Sequence, residues 1–104
     1  NPVWLRAPND TIHLMFTKQY GMEQGTSNVM DVLSRDGGRH WSASPRVVMA
    51  EPGAFIKNAV LPAAAGSVAG GGSGSSWVLP MYHTPEGANK FPSQFSEVRR
   101  SVDG

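Results

Sequence analysis

This sequence predicts an all-β, antiparallel fold, and three observations carry that prediction. Twelve Gly and eight Pro punctuate 104 residues, while charged residues make up only 16%; that balance favours short strands and turns over helices. No stretch of about ten or more residues shows a clean 3.6-residue apolar period. Three Trp, four Phe and many Val and Leu set the chain apart from a disordered Gly/Pro-rich segment.

The elements follow in order. Residues 2–7 (P-V-W-L-R-A) form a short apolar run that stops at the turn cluster A-P-N-D. Residues 11–17 (T-I-H-L-M-F-T) are rich in β-formers and pair with the first run as a hairpin. Residues 18–26 (K-Q-Y-G-M-E-Q-G-T) are predicted to be a polar loop. Residues 28–34 alternate around Val29, Asp31 and Leu33 as a third strand, and residues 45–49 (P-R-V-V-M) form a fourth.

The pattern then restarts. Residues 54–61 (A-F-I-K-N-A-V-L) and 76–83 (S-W-V-L-P-M-Y-H) read as a second hairpin whose Gly/Ser-rich loop, 63–76, is low in complexity. Pro80 is a misfit within that hairpin, tolerable at an edge or bulge. A polar loop leads into residues 94–101 (Q-F-S-E-V-R-R-S), a further alternating strand that ends on S-V-D-G.

Composition also excludes several classes. There is no Cys, so no disulfide scaffold. The formal net charge is +1 with scattered Lys and Arg, which gives no nucleic-acid or acidic-membrane footprint. No apolar run approaches the roughly 20 residues of a membrane-spanning helix. The N-terminal N-P-V-W has neither Met nor a signal-peptide pattern, so the chain is expected to be an internal piece of something longer.

The stretch S-R-D-G-G-R-H-W at 34–41 explains the repeat. An Asp carboxylate accepts hydrogen bonds from backbone N–H groups just beyond it, Gly supplies positive φ, and Ser adds a hydroxyl to the same turn. Trp41 returns a large ring to pack beneath it. The start of the motif recurs at Ser101 and Asp103, again after a third strand, and internal repeats take precedence in reading a fold.

S-x-D-x-G-x-x-W resembles the Asp box, the signature turn of sialidase-type β-propellers. Ser34, Asp36, Gly38 and Trp41 fill its fixed positions, and Ser101 and Asp103 open a second copy. N-P-V-W at 1–4, E-P-G-A-F-I-K-N-A at 51–59 and V-L-P-M-Y at 78–82 resemble strings of the bacterial-neuraminidase-repeat-like branch of that superfamily. The resemblance implies about one and three-quarter four-stranded antiparallel blades of a usually six-bladed ring. Residues 1–50 would be blade one and residues 51–104 an incomplete blade two, with the missing blades as partners.

It also implies where chemistry sits. Asp-box turns lie at one end of the blades; loops between strands two and three, and between blades, lie at the other, which carries the active site in this family. The segments there are 18–26, 49–58 and 83–94, so Asp36 is expected to be structural despite its neighbour His40. Lys57 resembles the position of the Arg in F-I-R-N-P, where an arginine cluster grips a substrate carboxylate; Lys keeps the charge but loses the planar fork. Lys57, Asn58, Glu51, Gln24 and His83 are the substrate-binding candidates, with Tyr20, Tyr82 and Gln94 nearby. Arg99 and Arg100 point to opposite faces of their strand, and both are expected at the surface.

The family's retaining mechanism uses a Tyr nucleophile with a Glu, and an Asp acid/base. No residue here can be assigned to those roles from spacing. No cofactor is implied, and His13, His40 and His83 have no spacing that suggests a metal site. Asn9-Asp10-Thr11 fits a glycosylation sequon. The expected function is that of a sialidase-like exo-glycosidase whose isolated 104 residues are inactive. The alternative is a non-catalytic Asp-box propeller that binds carbohydrate or protein.

Overall fold

A computed structural model describes residues 1–49, 51–63, 76–85 and 93–101. It is all-β, with two antiparallel sheets packed face to face. The first is a meander of β1 (Val3–Arg6), β2 (Ile12–Tyr20), β3 (Glu23–Ser34) and β4 (Arg46–Val47) in sequential order. In the second, β7 (Ser76–His83) is central. It pairs on one side with β5 (Ala54–Ile56) and β6 (Leu61–Ala63), and on the other with β8 (Phe95–Ser101).

Alternation decides which side chains meet. Val3 pairs with Met15 and Met15 with Asp31, so odd-numbered positions of β1, β2 and β3 turn toward the second sheet. Val3 and Val29 pack there against Ala54, Ile56, Leu79 and Met81 to form the core. The sheets are also tied by hydrogen bonds: Gly53 N donates to Ser27 O, Ser27 Oγ to Ala54 O, and Ile56 N to Thr17 Oγ1.

Both outer faces are apolar too. Trp4, Leu14, Phe16, Met30 and Val32 share the outer face of the first sheet; Phe55, Val78, Pro80, Tyr82 and Val98 share that of the second. Trp4 is 69% exposed and Val98 66%. An antiparallel sheet with a solvated face normally presents polar side chains on it. Here Arg6, Lys18, Asn28, Ser96 and Arg100 do so, beside large apolar side chains.

Three expectations need correction. The segment 18–26 is not a loop: β2 runs on to Tyr20 and β3 starts at Glu23, leaving only Gly21 and Met22 as the turn. Gly21 takes φ 58°, and Thr26 Oγ1 satisfies backbone groups of Tyr20 and Glu23, so the polar side chains extend the hairpin instead of ending it. The strand at 54–61 is broken. Ile56 pairs with Met81 but Leu61 with Val78, so two extra residues bulge out at 57–60, opposite Leu79 and Pro80. A proline cannot donate to a sheet ladder, and the break lies where Pro80 sits. The fourth strand is only Arg46–Val47.

The hairpin around the Gly/Ser-rich loop does form, through Ala63 paired with Ser76. The loop itself lies outside the described residues at 64–75, as do residues 86–92. Asp103 lies outside them as well; Ser101 closes β8.

Candidate functional site

The Asp box is assembled from contacts within a few residues. Asp36 Oδ1 accepts the backbone N–H of Arg39 (3.1 Å) and of His40 (2.9 Å), and Ser34 Oγ accepts that of Gly38 (2.8 Å). Ser34 Oγ in turn donates to Asp36 Oδ1, while Gly37 and Gly38 take φ 75° and 90°. Trp41 lies over the turn and donates its indole N–H to Gly38 O, but its ring stays 41% exposed instead of being packed beneath. These bonds, led by those from His40, hold the Asp36 carboxyl below its ordinary value. His40 is 88% exposed and serves only this turn.

The opposite end gathers the groups that link the two sheets. Gln24, at the start of β3, accepts the side-chain amide of Gln94 and the hydroxyl of Thr84. Glu51 pairs with Arg99 (2.6 Å), Arg99 with Glu97 (2.9 Å), and Glu97 with His83 Nδ1 (3.2 Å), in one continuous chain of side-chain contacts. Glu97 and Glu51 together raise the Arg99 pKa above its ordinary value. The His83 side chain is only 12% exposed and stacks on Phe95. Gly53 makes this junction possible: its φ is 97°, and a Cβ there would collide with the Thr84 carbonyl oxygen.

Lys57 stands apart from that network. It lines a depression of about 400 Å³ with Asn1, Thr17, Gln19, Phe55, Ile56 and Tyr82. The Tyr82 and Phe55 rings lie parallel at 4.7 Å, and burial raises the Tyr82 phenol above its ordinary value. Asn58 is exposed and does not line the depression. The sequence candidates therefore divide: Gln24, Glu51 and His83 belong to the junction, Lys57 and Tyr82 to the depression. Tyr20 is 62% exposed at the hairpin end. Arg99 shares the inward face with Leu79, and Arg100 faces outward.

Sequence reasoning missed one group. Asp31 is fully buried; its Oδ2 accepts His13 Nδ1 (3.1 Å) and Arg46 Nε (3.0 Å), and Arg46 NH2 lies 2.9 Å away as an ion pair. Its Oδ1 is buried with no hydrogen-bond partner among the described residues. An orphaned carboxylate oxygen costs about 1–3 kcal/mol of desolvation, and more when charged. The available signal was a charged residue in the inward phase of Val29 and Leu33. Thr17 and Gln19 were also missed, because their neighbours in space come from β5 and β7.

Among the described residues no three His, Asp or Glu side chains are placed to share a metal ion. Residues 1–101 match the family described as BNR repeat-like domain. No curated protein and no solved structure matches the chain.

Proposed function

Since the chain belongs to the BNR repeat-like domain family, we propose that residues 1–104 form one blade and most of its neighbour in a sialidase-type propeller and supply part of its glycan-binding face. Residues 1–50 make the first blade and 51–104 lie in the second. The outward apolar faces support the ring: a sheet that is apolar on both sides needs a layer on each, and stacking blades provides one.

The depression around Lys57 carries the glycan reading. It brings the cationic Lys57 together with the polar residues Thr17, Asn1 and Gln19 and the aromatic Tyr82. That is the donor, acceptor and apolar mixture a polyhydroxyl ligand with an acidic group requires. As a point charge, Lys57 would hold a carboxylate without the two-pronged geometry of Arg.

Hydrolysis of terminal sugars is the activity that the resemblance at 51–59 supports. A non-catalytic, sugar-binding role is favoured by Lys57, which keeps the charge at the position of the family's Arg but lacks its planar fork.

Binding of sialylated and neutral oligosaccharides to the protein carrying these residues tests the proposal. Lys57→Ala should weaken an acidic glycan at least tenfold, and Lys57→Arg should retain it. Equal binding by Lys57→Ala and the unaltered protein would remove this site. A fluorogenic glycoside separates the catalytic reading from the binding one.

A further inference from the structure

A second cavity, of about 420 Å³, lies between the sheets and shares no lining residue with the Lys57 depression. Its walls are mostly apolar, with Leu5, Met15, Val48, Val60, Trp77 and Leu79 among them. Asp31 also lines it, and Oδ1 of Asp31 is the buried side-chain acceptor without a partner among the described residues. We propose that this cavity binds a small neutral molecule with an apolar body and one hydroxyl or N–H donor, of the phenol or indole class, whose donor bonds to Asp31 Oδ1.

Charge matching selects a neutral guest. The Asp31 carboxylate is already balanced by Arg46, which hydrogen-bonds Oδ2 through Nε and forms an ion pair with it through NH2. His13 Nδ1 lies 3.1 Å from the same oxygen. Across the cavity, Arg99 is occupied by Glu97 and Glu51, and Arg100 at the exposed rim donates to Ser76. An ammonium ion on Oδ1 would add a buried charge with no counter-ion, and a carboxylate would meet Asp31 itself. A hydroxyl or indole N–H supplies the missing bond without either cost. Mostly apolar walls with a small number of placed polar groups, here His13, Asp31, Arg46 and Arg99 among them, are the usual build of a small-molecule site, and this volume falls in the usual range of about 300–1,000 Å³.

The probes are p-cresol and toluene, which share an aromatic body and differ by one hydroxyl. Binding to the protein carrying residues 1–104 is followed by ligand-observed NMR. The expected result is at least tenfold tighter binding of p-cresol than of toluene. Asp31→Asn should collapse that preference, and Val60→Phe, which fills the wall, should weaken both probes tenfold or more. Equal affinities, a preference that survives Asp31→Asn, binding indifferent to Val60→Phe, or no binding of either probe would each overturn the proposal. Should Asp31→Asn fail to fold, the probe ratio on the unaltered protein and the Val60→Phe result decide it.

Discussion

Arg46 places both Nε and NH2 within 3.0 Å of a single oxygen, Oδ2 of the fully buried Asp31. This pair does more than add one bond, because β4 consists of only Arg46 and Val47. Arg46→Ala would leave the carboxylate buried with His13 alone. Breaking a buried pair typically costs 3–5 kcal/mol; with Arg46 61% exposed the expected loss is about 2 kcal/mol. Urea unfolding checks this, and a loss below about 0.5 kcal/mol, the size of an ordinary surface substitution, would show the pair to be incidental.

Gly53 and Gly21 both take positive φ, yet they differ in surroundings. A Cβ at Gly53 meets the Thr84 carbonyl, and one at Gly21 meets nothing within 4 Å. Gly53→Ala is therefore expected to combine backbone strain of about 1–3 kcal/mol with displacement of the Ser27–Gly53–Thr84 bonds that join the sheets. Gly21→Ala should cost only about 1 kcal/mol. Thermal unfolding of the two variants side by side should rank them in that order.

Asp36 predicts a local response to acid. Its folded pKa lies below the ordinary 3.8, so its contribution is present above pH 3.8 and is lost as pH falls through the lower, folded value. The indole N–H of Trp41, bonded to Gly38 O, reports on the turn. Its NMR signal should lose exchange protection below pH 3.8, and Asp36→Asn should remove that pH dependence. An unchanged profile in Asp36→Asn would assign the acid response to another group.

Tyr82 is predicted to be dispensable for chemistry. Burial raises its pKa, and its ring is stacked on Phe55. If the protein turns over a glycoside, Tyr82→Phe should keep kcat within about threefold. A fall of 10³ or more, the scale on which a lost nucleophile is felt, would make Tyr82 the nucleophile after all.

The sequence by itself determined the features built from near neighbours. The Asp box was legible because Ser34, Asp36, Gly38, Arg39 and His40 bond to one another across at most four residues. The order of strands was legible from turns and alternation, apart from the 18–26 segment, where Thr26 and Gly21 carry polar residues into a hairpin. The tertiary structure alone decided the sites. Gln24 meets Gln94 across 70 residues and Glu51 meets Arg99 across 48. Thr17 reaches Ile56 across 39. Asp31 gains His13 and Arg46 only through the registers of β2 on β3 and of β3 on β4. Such contacts depend on how strands pair and sheets stack, and a shift of one residue would turn each of these side chains to the opposite face.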